Sequence, residues 1–195
     1  MVDIDVPSWN SLGVIPPMDE AHPAGAYRSP YKTNIVKFVE KFSTTPKRIS
    51  ILKGFLEFRS ELHKVGLVDG FQWINGSFNE NIELLEKRPP NDIDVVTFFN
   101  IHPGDSQAAI VARNPELFQP NSAEWRKENY HVDSYFQSLQ VASGNLVERT
   151  VYWYSMWSHR RDLTWKGFLQ IPLSPEYDSD AKLILIKISS EGGEQ

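Results

Sequence analysis

Two aspartates at the start of a β-branched segment are spaced for metal binding. They are Asp92 and Asp94 in the run DIDVVTFF, whose valine, threonine and phenylalanine content predicts a strand over 92–99. Residues two apart on a strand project from the same face, so the two carboxylates would lie side by side and repel each other. Mg²⁺ prefers carboxylate oxygens. The pair therefore predicts a magnesium site, and a third carboxylate would let two metal ions share it.

A glycine and a serine supply the other half of the predicted site. Gly76 and Ser77 follow a short apolar segment, residues 71–75, that is predicted to be a strand. A glycine at a strand end lets the backbone approach a phosphate, and a helix after it, predicted over 79–87, would direct free N–H groups at the anion. The pattern predicts a triphosphate site with Gly76, Ser77 and Asn79 as nucleotide-binding residues.

This combination resembles the signature of the polymerase-β-like nucleotidyltransferase superfamily. The signature is Gly-Ser after a first strand, then a helix, then Asp-x-Asp opening a second strand, here Gly76-Ser77 and Asp92-Ile93-Asp94. The resemblance covers roughly residues 66–140. Fourteen residues separate Ser77 from Asp92, which is longer than the common spacing and predicts an extended helix between them. Short bacterial members of the superfamily are similar in further elements, which imply no defined substrate: Pro16-Pro17, Ser29-Pro30-Tyr31, Arg160 and Lys166-Gly167.

The resemblance implies a third carboxylate on a later, neighbouring strand that activates the acceptor hydroxyl. The matching residue is Asp133 in the alternating run YHVDSYF, so that Asp92, Asp94 and Asp133 would form a two-metal magnesium site and carry catalysis. His131 would share the strand face of Asp133 and could orient the acceptor. Other acidic residues compete for the role of Asp133: Asp105, Glu124 and Asp162.

Cationic and aromatic side chains nearer the C-terminus are further candidates. Arg160 and Lys166 could bind the triphosphate, because the arginine fork suits phosphate oxygens. Such a cluster also fits a helix C-terminus, where cations match the dipole. Trp153, Tyr154 and Trp157 could stack on a base, although their helical spacing favours packing in the core.

The elements that would position these residues interleave helices and strands. The pattern predicts helices over 31–42, 46–66, 105–113, 121–129 and 146–159, strands over 130–139 and 167–173, and a helix or edge strand over 180–188. Thr45 and Pro46 are predicted to begin the helix over 46–66, and Gly66 is predicted to end it. Asn121 is predicted to cap the helix over 121–129 together with Glu124. We expect an α/β (α+β) fold with a mixed sheet flanked by helices. Residues 1–30, rich in turn formers, would form an N-terminal arm packed on a single domain over 31–195.

Composition excludes several classes of protein. The chain has 195 residues, of which 41% are hydrophobic and 23% charged, typical of one globular domain. It contains no cysteine, which excludes thiolate catalysis and sulfur-ligated zinc. A net charge of −5 makes long nucleic acid a poor partner. No apolar run approaches the roughly 20 residues of a membrane span, so a cytoplasmic protein with no membrane partner is expected.

Three functions follow as hypotheses. The first is magnesium-dependent transfer of a nucleoside monophosphate from an NTP, such as ATP, to a hydroxyl on a small molecule, a protein or an RNA end, with release of pyrophosphate. The second is a non-catalytic regulatory module, of the antitoxin or defence type, that keeps the fold and binds a partner protein. The third and weakest is a metal-dependent hydrolase that uses the same carboxylates.

Overall fold

The sheet forms where the sequence is β-branched or aromatic. The computed structural model describes residues 5–191, which form a mixed sheet of five strands in the order β1-β5-β2-β3-β4. The pairs β1/β5 and β3/β4 are parallel, and β2 is antiparallel to both β3 and β5. The strands are β1 Tyr31–Lys32, β2 Gly70–Asn75, β3 Ile93–Phe99, β4 Val132–Ser138 and β5 Leu169–Pro172.

Helices connect and flank the strands, so the predicted mixed α/β class is confirmed. The helices are α1 Ile35–Phe42, α2 Pro46–Lys64, α3 Ile82–Leu85, α4 Gln107–Arg113, α5 Pro115–Phe118, α6 Ala123–Tyr130, α7 Ser143–Trp157 and α8 Asp178–Glu191. The start of α2 is as predicted, with the Thr45 side chain accepting a hydrogen bond from the Arg48 N–H and Pro46 in the first turn. Gly66 follows its end at φ +95°, a conformation that favours glycine.

The extended helix predicted between Ser77 and Asp92 is absent from the described structure. One 3₁₀ turn, Ser77–Asn79, and the single turn of α3 take its place. The buried guanidinium of Arg48 donates hydrogen bonds to the carbonyls of Phe78 and Glu80 at 2.6 and 2.7 Å. Glu80 has extended backbone angles, φ −101° and ψ 158°, which interrupt the helix. The bonds from Arg48, about 30 residues away on α2, hold the segment in this conformation.

Two other boundaries also differ from the prediction. Tyr31 and Lys32 form β1 rather than the first turn of a helix, because Asn34 caps α1 by accepting from the Lys37 N–H at 2.8 Å. The predicted cap of α6 by Asn121 does not form. Residues 120–122 instead make a 3₁₀ turn, and the N-cap Ser122 makes no side-chain cap bond. Residues 180–188, predicted as helix or strand, lie within α8.

The two faces of the sheet have different cover. One face packs the main core against α1, α2, α6 and α8, with Ile74, Val95 and Val132 pointing into it. The other face carries a smaller cluster of Trp73, Val96, Phe98 and Phe168 beneath Trp157 of α7. Since side chains alternate along β3, Asp94 lies on the α7 face together with Val96. The aspartates are thus on the more thinly covered side of the sheet.

The N-terminal arm packs on the sheet and on the turn after β2. Val14 and Ile15 are buried, and the Ile15 carbonyl accepts a hydrogen bond from the Gly167 N–H at 2.7 Å. The Trp9 indole donates to the Asn79 carbonyl at 2.8 Å. The arm thus stabilises the corner that follows β2. Within residues 5–191, none of the helices combines the length and apolar character that a bilayer crossing requires.

Candidate active site

Three aspartates converge at the starts of β3 and β4. The parallel register places Asp94 directly opposite Asp133, and Asp92 lies one residue before β3. One carboxylate oxygen from each of the three lies within 4.8 Å of the others, and all three side chains are partly buried. The spacing Asp-x-Asp accounts for two of them, and the strand pairing brings in the third. Such a group of oxygens has the composition of a magnesium site.

The pKa of Asp94 is strongly raised. Burial and the negative charges of Asp92 and Asp133 together raise it to about 6, against the opposing effect of Lys166 and Lys127. Three carboxylates crowded together disfavour the ionised form of the most buried one. A bound cation would reverse this effect, so the cluster favours a ligand of positive charge.

Gly76 lies against the carboxylate of Asp94. Its backbone is at φ +86°, and a Cβ at this position would be 2.5 Å from Asp94 Oδ2. Only glycine combines this dihedral angle with this contact. The expectation that a helix N-terminus follows Gly76 and directs its dipole at phosphate is wrong, because the turn Ser77–Asn79 has only three residues. What Gly76 and the half-buried Ser77 provide is close backbone approach and a hydroxyl.

Asn75 contributes a buried oxygen beside the aspartates. It pairs with Asp94 across β2 and β3 and is 3% exposed. Its Nδ2 donates to the Trp157 carbonyl at 3.0 Å, which fixes the orientation of the amide, while its Oδ1 finds no partner among the described residues. Buried oxygens without partners call for a water or an ion. Three carboxylates and one amide oxygen are hard donors, so the residues present fit Mg²⁺.

Sequence reasoning missed Lys127. Its Nζ lies 2.8 Å from Asp133 Oδ2 and 3.7 Å from Asp92 Oδ2, and the hydrogen bond to Asp133 raises the pKa of this lysine. Lys127 is in the last turn of α6, and the left-handed residue His131, at φ +55°, turns the chain into β4. A lysine one helical turn before a strand that carries an aspartate was the available signal.

Arg160 and Lys166 lie beside Gly76 but are engaged by Glu80, which sequence reasoning also missed. Lys166 Nζ is 2.5 Å from Glu80 Oε1 and 3.3 Å from the Gly76 carbonyl. Arg160 Nε is 3.2 Å from Glu80 Oε2, and its Nη2 is 2.7 Å from Glu86 Oε1. The two predicted phosphate ligands are therefore adjacent to the site, and a triphosphate would have to replace their carboxylate partners.

Comparison with known proteins identifies the family. A sequence profile described as "Family of unknown function (DUF6932)" matches residues 7–172, most of the chain. The chain belongs to DUF6932. Searches of curated proteins and of solved structures found no significant match. The match includes all three aspartates, Gly76 and Lys166, so these parts of the site lie inside the DUF6932 region.

The acidic residues that competed with Asp133 are occupied elsewhere in the DUF6932 chain. Asp105 pairs with Arg113, and Asp162 Oδ2 lies 3.6 Å from Arg160 Nη1. Glu124 is in the first turn of α6, one helical turn before Lys127. None of the three belongs to the carboxylate cluster. Asp133 is therefore the third member.

Two predicted site residues have supporting positions instead. Asn79 is 1% exposed, and its Nδ2 donates to the Ile74 carbonyl at 2.7 Å, so it braces the turn after β2 and does not face a nucleotide. His131 caps α6 in a left-handed conformation outside β4 and thus does not share a strand face with Asp133. Burial lowers its pKa.

The aromatic residues of α7 roof the core of the DUF6932 domain. Trp157 and Tyr154 pack edge-on against Phe168, with ring centroids 5.9 and 5.6 Å apart. Trp153 contacts Tyr135, two residues after Asp133 on β4, at 4.7 Å. Core packing, the favoured interpretation of their spacing, is what the structure contains. The half-exposed Tyr135 ring lies closest to the aspartates along the strand.

Two cavities of the domain lie away from the aspartates. One, of about 440 Å³, is lined by Lys32, Phe71 and Tyr177 at the end of β2 opposite Asn75. The other, of about 460 Å³, lies between the N-terminal arm and Trp165. Neither includes a carboxylate of the cluster. The candidate site is therefore defined by the chemistry of its carboxylates, at the starts of β3 and β4.

Proposed function

We propose that this DUF6932 chain is a magnesium-dependent nucleotidyltransferase with a polymerase-β-like fold. It would transfer a nucleoside monophosphate from an NTP to a hydroxyl acceptor and release pyrophosphate. The observation that carries the proposal is the convergence of Asp92, Asp94 and Asp133 on adjacent strands, with Gly76 against Asp94. The antiparallel β2/β3 pair followed by the parallel β3/β4 pair also supports it.

Asp92, Asp94 and Asp133 would hold magnesium, which when bound stabilises the charge that develops on the attacking and leaving oxygens. Asp133 accepts the proton of the acceptor hydroxyl, whose oxygen forms a bond to the α-phosphorus. The bond between the α-phosphorus and the bridging oxygen breaks, and pyrophosphate leaves with that electron pair. Asp133 is partly exposed, so an acceptor reaches it from solvent. Positioning and electrostatics then supply most of the rate.

The NTP would lie along the corner formed by Gly76 and Ser77. The space that a Cβ at Gly76 would occupy is taken by the Asp94 carboxylate, so the Ser77 hydroxyl would be the group that donates to a phosphate oxygen here. Lys166 lies next to this corner, with its ammonium 3.3 Å from the Gly76 carbonyl. On nucleotide binding, Lys166 and Arg160 would give up their ion pairs with Glu80 and pair with the triphosphate instead. The acceptor would be a small molecule, a protein or an RNA end.

The test is turnover of NTPs by the double variant D92N/D94N. Wild-type protein with Mg²⁺ and each NTP should release pyrophosphate once an acceptor is supplied, and the double variant should release none. D162N, at a carboxylate outside the cluster, serves as the matched control and should retain turnover. Turnover that persists in D92N/D94N would reject the mechanism.

One observation favours a second candidate, a non-catalytic binding module. Lys127 already compensates part of the charge of Asp133 and Asp92, so the fold tolerates the cluster without chemistry. Calorimetry with Mg²⁺ and each NTP separates the candidates. Nucleotide binding followed by pyrophosphate release supports the enzyme, whereas tight binding to a partner protein without turnover supports the module.

A further inference from the structure

Lys127 lies between the two outer carboxylates of the aspartate cluster. Its ammonium is 2.8 Å from Asp133 Oδ2 and 3.7 Å from Asp92 Oδ2. Only five residues along the chain separate Lys127 from Asp133, and the left-handed turn at His131 joins their elements directly. The lysine is therefore held at this position by the same short segment that places Asp133.

The charges of the cluster decide how many metal ions it balances. The three carboxylates carry three negative charges when ionised, and Lys127 supplies one positive charge. One divalent cation neutralises the remainder. Two divalent cations beside the lysine would leave an excess of two positive charges at a partly buried site, which is costly unless an anion accompanies them.

A separate observation indicates where that one divalent cation would lie. The unpartnered Oδ1 belongs to Asn75, the register partner of Asp94 on β2, whereas Lys127 contacts the other two aspartates. The oxygen that lacks a partner is thus on the β2 side of Asp94, away from the strand that carries Asp133. The two ends of the cluster therefore differ: one has a cation of the chain itself, and the other has an unsatisfied buried oxygen.

We propose that in the nucleotide-free protein the ammonium of Lys127 takes the place of a second metal ion. One divalent cation binds at Asp94 and Asp92, and Lys127 remains on Asp133. This inference rests on the proposed metal site and adds its stoichiometry. The second cation enters only with the triphosphate, whose negative charge compensates it and whose arrival releases Lys127 from Asp133, which frees that carboxylate for the acceptor hydroxyl.

Counting bound Mn²⁺ tests the proposal. Free Mn²⁺ is measured by electron paramagnetic resonance during titration of the full chain without nucleotide, for wild type, K127M and K127Q. The matched control is K53M, which removes an exposed lysine of α2. We expect one ion per chain for wild type and K53M, and two for K127M and K127Q. The glutamine variant keeps the side chain polar if the methionine variant fails to fold.

The other outcomes separate this inference from the proposed function. Two ions in wild type, or a single ion in both Lys127 variants, would overturn the role of Lys127 and leave the metal site intact. No binding in wild type or in either variant would overturn the metal site and the lysine role together. The expected change from one to two ions, with no pyrophosphate release under any condition, would support Lys127 as the counter-ion and reject nucleotidyl transfer alone.

Discussion

Gly76 and Asp94 are in such close contact that a methyl group on the glycine would lie 2.5 Å from the Asp94 carboxylate. The contact connects Gly76, the residue that follows β2, to Asp94, the second residue of β3. It restricts the side-chain rotamers of Asp94, because the carboxylate cannot move toward β2 without meeting the backbone of Gly76. The conformation of one glycine therefore sets the position of the central aspartate.

Substitution of Gly76 by alanine should displace the Asp94 carboxylate. We expect G76A to weaken Mn²⁺ binding by at least about tenfold, since loss of one good carboxylate ligand costs about 1.4 kcal/mol or more, and to lower the free energy of unfolding by about 1–3 kcal/mol. G104A is the matched control, with φ +94° and open space around its Cβ. G104A should lower the free energy of unfolding only by the cost of placing alanine at a positive φ, and it should leave Mn²⁺ binding unchanged. Equal metal affinity in G76A and G104A would contradict the contact argument.

The raised pKa of Asp94 predicts the pH dependence of stability. Its pKa is about 6 in the fold against an ordinary value of 3.8, so between these pH values the folded state binds the extra proton. Stability therefore falls as pH rises through this window, by up to about 3 kcal/mol. Without metal, D94N should be more stable than wild type at pH 8 and equal to it at pH 3.5, as measured by urea unfolding.

Two comparisons control the pH experiment. Adding Mg²⁺ at pH 8 should stabilise wild type but not D94N, because ligand binding to the folded state raises the free energy of unfolding. The stability difference between wild type and D162N should change with pH in the opposite direction. Hydrogen bonds with Thr164 lower the pKa of Asp162, so the contribution of Asp162 to stability is lost on acidification. A wild-type protein whose stability rises from pH 4 to pH 6 relative to D94N would be inconsistent with the burial of Asp94.

Glu80 should be needed because Lys166 is buried with it. The carboxylate and the ammonium are both about 5% exposed. E80L leaves the buried ammonium of Lys166 without its carboxylate and should lower the free energy of unfolding by about 3–5 kcal/mol. K166M leaves Glu80 paired with Arg160 and should cost less. The double variant E80L/K166M should cost less than the sum of the single variants E80L and K166M, and the coupling is read from this double-mutant cycle. Additive effects would indicate that the pair is solvated in solution.

Gly54 should control the position of α6 and so of Lys127. A Cβ at Gly54 would lie 2.3 Å from the Tyr130 carbonyl, at the end of α6. G54A should therefore push α6 away from α2 and cost about 1–3 kcal/mol, despite the better helix propensity of alanine. K53A, at an exposed position of the same helix, should leave the free energy of unfolding unchanged. Urea unfolding of both variants provides the measurement, and a G54A variant as stable as K53A would exclude the tight α2/α6 approach.

Local sequence patterns correctly predicted those helices and strands whose formation depends on residues close by in the sequence. The cap at Thr45, the β-branched run of β3 and the alternation of β4 each depend on near neighbours, and their elements lie within a few residues of prediction. The same-face placement of Asp92 and Asp94 follows from strand geometry alone. That Asp133 joins them depends on the parallel pairing of β3 and β4, which was expected from a family resemblance and not from spacing.

Long-range contacts explain what local patterns missed. The helix predicted after Gly76 is interrupted by the extended backbone of Glu80, in a segment held by hydrogen bonds from Arg48 on α2. The two-residue strand β1 exists only because β5, far along the chain, pairs with it. Lys127 and Glu80 look like ordinary surface charges in the sequence. Their importance appears only when the fold brings them to Asp133 and Lys166.

The parallel β3/β4 ladder has a consequence for variation among DUF6932 chains. The backbone hydrogen bonds of the ladder set the separation of Asp94 and Asp133, whereas residues 100–122, which include α4 and α5, lie outside the ladder. Insertions or deletions at the exposed positions of this connection, such as 102–104, can therefore accumulate without changing the distance between the two carboxylates. We expect chains of this family to differ most in length there, while the arrangement of the acids stays unchanged.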